Sequence, residues 1–353
     1  MASSTARAAW HRLSGLVLCL GPLLLPLLLP LLLPAPAAAE GPVQAGPAAA
    51  ARDGRCIVVD SDGDLDDYRA VAALAPNRRV AAIVMTEGIA RPLQGAGAME
   101  VVLRRGDLAI PVIPGASADP ERQAPPDEDF QRWRDNAERL NGLLPAPVRG
   151  SLAEPGNLAA ALRPHLRDCT SISLLVIGPW SSFLSYGAEL LERVDRIVAQ
   201  GRPYPDEIGG VPDGQNCRHD RDACYTAFDL LVGRQLRAGR RVRTDWVDIP
   251  NGPQPCAAAE PGVDAEGNRL FAFRPVADWA EGLAAGQRMA PVIGGLLQAN
   301  PDGWARTSLW DDLAALYLLR PDVFAARGGH LEPCVPAAIV RRMLTAALEG
   351  KAP

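Results

Sequence analysis

The chain has 353 residues and a formal net charge of −5, with a single lysine, Lys351. That length allows one large domain or two ordinary ones. The acidic balance and the scattered arginines exclude a basic patch, so neither nucleic acid nor an anionic membrane surface is expected as a partner.

Residues 1–39 read as an export signal. Arg7 and Arg12 precede a leucine-rich run from Leu13 to Leu33, and Ala37, Ala38 and Ala39 follow as a small-residue cleavage site. Pro22, Pro26, Pro30 and Pro34 would disrupt a spanning helix, so cleavage without a membrane anchor is expected, giving a periplasmic or secreted protein. Cys19 lies inside the apolar run rather than at its end, which does not suit a lipoprotein. Residues 40–54, rich in Ala, Gly and Pro, read as a disordered linker. The six remaining cysteines (Cys56, Cys169, Cys217, Cys224, Cys256 and Cys334) are even in number, which permits disulfides in an exported chain. None forms a Cys-x-x-Cys pair, so no zinc pattern is present, and the spacing leaves the disulfide pairing open.

From Cys56 a βα rhythm begins, within a domain expected over 55–353. "CIVVD" reads as a strand, "DDYRAVAALA" as a helix and "VAAIVMT" as the next strand, followed by a helix near Leu93–Arg104 and the strand "IPVIPG". Residues 117–150 are charged and proline-rich with an amphipathic helix at Phe130–Leu143, and read as a lid or insertion. "NLAAALRPHL" is helical, "SISLLVIG" a buried strand, "SSFLSYGAELLERV" a helix and "RIVAQG" a strand. "DACYTAFDLLVGRQLRAG" is a helix, "RVRTDWVDI" a strand and 252–268 a loop. Helices are expected near 275–285, 289–299, 311–319 and 336–349. Alternation of this kind gives an α/β fold: a mostly parallel central sheet with helices on both faces, Rossmann-like. Ligands in such sheets sit beyond the carboxyl ends of the strands.

That is where the densest charge falls. In "CIVVDSDGDLDDYRAVAAL", Asp60, Asp62, Asp64, Asp66 and Asp67 crowd into eight residues between a buried strand and a helix. One or two acids at a helix N-terminus are helped by the dipole, but five repel one another unless a hard divalent cation compensates them. The run is not a calcium-binding EF-hand, because Gly63 is misplaced and the twelfth residue is Val71 rather than Glu. It also resembles the opening of haloacid-dehalogenase-type phosphatases, in which Asp60 would be the nucleophile and Asp62 the acid/base. Asp64 in place of Thr and the absence of a lysine before Lys351 count against that reading.

The whole pattern Asp60-x-Asp62-x-x-x-Asp66-Asp67 resembles the signature of the inosine-uridine-type nucleoside hydrolases. The resemblance continues in order through "VAAIVMTEGIARP", "GAMEVVLRRGDLAIPVIPGAS", "SLLVIGPWSSFLSYGAELLERVDRIVAQG", "QNCRHDRDACYTAF" and "LWDDLAALYLLRPDVF", covering roughly 55–349. It implies the nucleoside hydrolase fold and calcium-dependent hydrolysis of N-glycosidic bonds in ribonucleosides or related N-ribosides, through an oxocarbenium-like transition state. By the same resemblance Asp60 and Asp67 would ligate Ca²⁺. Asp62 would be the general base and also lie at the metal, and Asp66 would receive a ribose hydroxyl. Asp311 would complete the carboxylate shell and touch substrate, the Ile177 carbonyl would be a further ligand, and Asn216 would bind a ribose hydroxyl.

The chain departs from that family where the sugar's outer side and the leaving group would be met. Ile89 stands where the family has Asn, Gly214 where it has Glu, and Trp310 where it has His. Glu87, Arg91, Glu207, Asp213 and Trp310 are candidate replacement contacts, and His219, beside Asp220, is a candidate leaving-group acid. The antiparallel segment expected after Phe324 reads as mostly missing. The alternative to turnover is a metal-dependent nucleoside- or sugar-binding protein that has lost catalysis. The sequence leaves a homo-oligomer open.

Overall fold

Residues Arg55–Ser61 form strand β1, whose alternate side chains enter two different cores: Ile57 and Val59 face one, Cys56 and Val58 the other. A strand apolar on both faces belongs in the middle of a covered sheet. The computed structural model describes residues 54–117, 128–144, 157–201, 214–238, 242–250, 256, 277–301, 308–327, 329–351 and 353. The expected signal at 1–39, and all of the expected linker except Gly54, lie outside the described residues.

After β1 the chain runs through α1 (Leu65–Leu74), β2 (Val80–Met85), α2 (Pro92–Arg105), β3 (Val112–Pro114), α3 (Glu128–Leu143) and α4 (Leu158–Leu162). Then come β4 (Ser171–Val176), α5 (Ser181–Leu190), β5 (Val194–Gln200), α6 (Gln215–His219), α7 (Arg221–Ala238) and β6 (Arg243–Val247). The C-terminal part holds α8 (Ala277–Ala284), α9 (Ala290–Ala299), α10 (Trp310–Leu319), β7 (Phe324–Arg327), β8 (His330–Pro333) and α11 (Ala337–Leu348). The sheet order is β3-β2-β1-β4-β5-β6-β8-β7. All neighbours are parallel except β7 and β8. This is the mostly parallel, doubly covered sheet that the sequence implies.

Helices α1, α9, α10 and α11 pack on one face around Tyr68, Leu74, Ile293, Leu313 and Leu344, while α4 and α5 cover the other around Leu162, Phe183 and Tyr186. All ten residues of α1 are buried. Three disulfides join Cys56 to Cys169, Cys217 to Cys224 and Cys256 to Cys334.

One expectation is corrected. The antiparallel segment after Phe324 is present, as the β7–β8 hairpin paired from Phe324↔Pro333 to Arg327↔His330, and Leu331 joins it to Val247 of β6. Two strands of four residues leave too little periodicity to stand out in the sequence. Helix α6 was also not expected, being a single turn.

Candidate functional site

The site lies where the sheet reverses its order. From β1 the chain moves outward to β2 and β3, then returns to the other side of β1 at β4. The carboxyl ends of β1 and β4 stay locked together, with Ile177 N–H donating to Asp60 O at 2.8 Å. A crevice at such a switch point is the usual ligand position in an open α/β sheet.

Gly63 leaves β1 with φ of +71°, a left-handed conformation that favours glycine. Asp64 then caps α1: its Oδ1 accepts from Leu65 N–H at 2.7 Å, and its own N–H donates to Asp67 Oδ2 at 3.0 Å, a reciprocal capping box. Asp67 Oδ1 accepts further from Ser61 Oγ at 2.5 Å and Asp62 N–H at 3.1 Å. Three donors on two oxygens fix this carboxylate.

Asp311, in the first turn of α10, meets this group. Oxygens of Asp66, Asp67 and Asp311 lie within 4.8 Å of one another, all three residues being buried. A brace that the sequence did not announce holds them there. Arg69 of α1 donates from Nε to Asp312 at 3.1 and 3.3 Å and from Nη2 at 2.7 Å, and Nη2 also donates to Ser308 O at 2.9 Å. A lone arginine within an apolar helical run was the available signal, since a buried guanidinium needs an acid.

Asp62 sits in a slot between two loops. Its Oδ2 accepts from Ile89 N–H at 3.0 Å. A Cβ at Gly88 would stand 2.1 Å from that oxygen, and one at Gly178 would stand 2.8 Å from Asp62 N. Both glycines are therefore required by close approach, and Ile89 contributes its backbone where the family resemblance placed a side chain.

Asp60, expected as a cation ligand, is placed differently. Its oxygens accept from the hydroxyls of Tyr186, at 2.6 Å, and Thr86, and Thr86 also reaches Ser182. It is fully buried and does not line the cavity, so the carboxylates that converge are Asp66, Asp67 and Asp311 instead. Thr86, Ser182 and Tyr186 carry no spacing pattern in the sequence that links them to Asp60.

Burial drives the electrostatics. Asp60, Asp64 and Asp67 are each pushed up to about 7, chiefly by desolvation, with repulsion from Asp62 adding at Asp64 and from Asp66 at Asp67. Asp62, Asp66 and Asp311 are raised further for the same reasons. Arg69, paired with Asp312, also attracts Asp64 and Asp66, but desolvation and mutual repulsion outweigh that attraction.

The cavity over these groups has a volume of about 190 Å³. Asp62, Asp66, Asp67, Asp311, Asn216 and the Ile177 position all line it. Asn216 Nδ2 donates to Ile177 O at 3.0 Å and Gln200 Oε1 at 3.2 Å, which leaves its Oδ1 as the free acceptor. Trp133 of α3 and Trp310 of α10 form an edge-to-face pair on the same cavity, their centroids 5.9 Å apart. Arg134 of α3 donates to Gly88 O at 2.6 Å and Ile89 O at 3.2 Å, so the described part of the 117–150 segment packs on the loop that holds Asp62.

The other sequence candidates do not gather here. Glu87 lies 3.7 Å from Arg134 and Arg91 lies 3.8 Å from Glu138, both away from the cavity lining. His219 stacks on Phe130 at 5.2 Å, and burial together with nearby Arg134 lowers its pKa to about 4. It is neutral at neutral pH, and a poor source of a proton. Glu207 and Asp213 lie outside the described residues. Gly214 and Arg218 line the cavity.

No protein-family model and no curated protein matches the chain. Solved structures do. An inosine-uridine preferring nucleoside hydrolase from Bacillus anthracis is similar at a TM-score of 0.52 and 14% identity, over 84% of this chain and 99% of that one. A purine-preferring ribonucleoside hydrolase from Gardnerella vaginalis is similar at 0.52 and 15%, over 84% and 98%. The switch-point crevice, the strand order and these two likenesses together give the chain the α/β fold of the nucleoside hydrolases.

Proposed function

We propose that the protein hydrolyses the N-glycosidic bond of ribonucleosides or related N-ribosides and depends on calcium. The observation that carries this reading is the convergence of Asp66 and Asp67 from α1 with Asp311 from α10, with Asp62 and Ile177 lining the same cavity. The donors are all oxygens, and three of them are carboxylates crowded within 4.8 Å of one another, which suits a hard divalent ion. Asp66, Asp67 and Asp311 would hold it, with the Ile177 carbonyl at their side.

When bound, the ion supplies positive charge that polarises a water and grips vicinal hydroxyls. Asp62, aimed by the Ile89 N–H, accepts the proton of the attacking water. Asp66 accepts one ribose hydroxyl and Asn216 Oδ1 another. The negative field of the carboxylates stabilises the charge that grows on the sugar as the bond to the base breaks. Trp133 and Trp310 form an apolar wall that limits water around the leaving group. Three disulfides support an oxidising compartment, hence an exported protein.

The test is ribose release from inosine, uridine and nitrophenyl riboside, with and without chelator. Release that calcium restores, and that Asp62→Asn lowers by about 10²- to 10⁴-fold in kcat, supports the assignment. Ribose binding without release would instead make it a binding protein. Phosphate release from a phosphoester, abolished by Asp60→Asn, would make it a phosphatase; the enclosure of Asp60 by Thr86 and Tyr186 argues against that outcome.

A further inference from the structure

Among the described residues the cavity is lined by acids and by one basic residue, Arg218 of α6. Its Nη2 donates to Gln215 Oε1 at 3.0 Å, while its Nε is shielded from solvent and has no acceptor. Among the described residues no carboxylate pairs with it. An enclosed N–H without a partner is unfavourable, and a guanidinium presents a planar fork suited to the two oxygens of a phosphate or carboxylate.

The segment carrying Arg218 is firmly seated. Asn216 ties it to β4 and β5 through Ile177 O and Gln200, and the Cys217–Cys224 disulfide ties it to α7. Gly214, whose carbonyl accepts from Arg218 N–H at 3.0 Å, lines the same cavity without a side chain. Among the described lining residues, Arg218 is the one side chain whose charge attracts an anion entering among these aspartates.

We propose that the site takes N-ribosides carrying an oxyanion, a phosphate on the sugar or a carboxylate on the leaving group, and that Arg218 is the residue that reads it. This rests on the N-riboside reading above and narrows its substrate class. Arg218 is a specificity-determining residue rather than one that acts on the bond broken.

Equilibrium binding of ribose 5-phosphate and of ribose to the intact protein, with calcium present, tests the idea independently of turnover. Ribose 5-phosphate is expected to bind about 10- to 100-fold more tightly than ribose, the range for a charge-assisted hydrogen-bond pair. Arg218→Gln is expected to bring the two within about threefold of each other, and Arg218→Lys to retain part of the difference. Circular dichroism confirms that both variants fold. A parallel comparison of nicotinate riboside with nicotinamide riboside reads the carboxylate source, and one of the two anions must show the Arg218-dependent preference. Equal binding of charged and neutral members in both pairs, or a preference that survives Arg218→Gln, would overturn the proposal. If no N-riboside is cleaved but the Arg218-dependent preference appears, the hydrolase reading fails and the anion subsite stands.

Discussion

The Arg69–Asp312 pair ties the two helices that supply the converging carboxylates, and its removal should be costly. Its side chains are 1% and 0% exposed, and three hydrogen bonds join them. Asp312→Asn keeps the shape but removes the charge opposite a fully buried guanidinium. Breaking a buried pair from one side costs about 3–5 kcal/mol, most of it from the charge left behind. Asp66 and Asp311 also attract Arg69, so part of the loss is recovered and the lower end, about 3 kcal/mol, is expected. At roughly 2–4 °C per kcal/mol for a domain of this class, the melting temperature should fall by about 6–12 °C. The recovered part has its own signature. Arg69 drawn toward Asp66 and Asp311 competes with the cation, so calcium affinity should fall in the same variant. The double change Arg69→Met with Asp312→Leu removes both charges and should regain much of the melting temperature, since apolar replacements of buried pairs are often neutral or better. Thermal melts and calcium titrations of the three proteins measure this. If Asp312→Asn melts within about 2 °C of the parent, the brace does not hold these helices together and the reasoning is wrong.

Other expectations follow from the same site. Asp60, Asp64 and Asp67 titrate near 7 in the folded, cation-free protein against 3.8 ordinarily, so the folded state holds more protons across that interval and stability falls as pH rises from about 4 through 7. Melts in chelator should therefore drop between pH 5 and pH 8, and calcium should flatten the slope by replacing the protons; identical slopes with and without calcium would contradict a cation at these carboxylates. Gly88→Ala places a Cβ 2.1 Å from Asp62 Oδ2 and should cut ribose release about 100-fold, as a displaced base does. A variant with parental kcat would show that Asp62 tolerates displacement. Tyr186→Phe removes the 2.6 Å hydrogen bond to buried Asp60 and should cost about 1–3 kcal/mol of stability, read by denaturant unfolding.

The sheet was legible because buried parallel strands such as "CIVVD" and "SLLVI" are continuous apolar runs separated by helices of ordinary length. The carboxylates were legible for the same reason, since a dense acidic run at a strand's end stands out locally. What the sequence hid were partnerships across distance. Asp60 looks like its neighbours until Thr86 and Tyr186 are seen to claim it, and nothing in their spacing marks them. Arg69 and Asp312 each resemble ordinary helical charges until α1 and α10 are placed side by side. Ile89 looked like a lost contact because side chains are what a sequence shows, while its N–H does the holding. The hairpin at Phe324–Pro333 was too short for its alternation to register.

The Cys56–Cys169 bond lies at the end of β1 and β4 farthest from the cavity, and spans 113 residues of chain. Parallel strands can slide by one residue, and a slide of that size reverses which face each side chain meets. Here a covalent stop at the amino end fixes the alignment that runs from Arg55↔Ser171 to Asp60↔Val176. The loops that carry Asp62 and Ile177 therefore leave the sheet at a fixed offset because a sulfur link at the opposite end of the two strands keeps them from moving past each other.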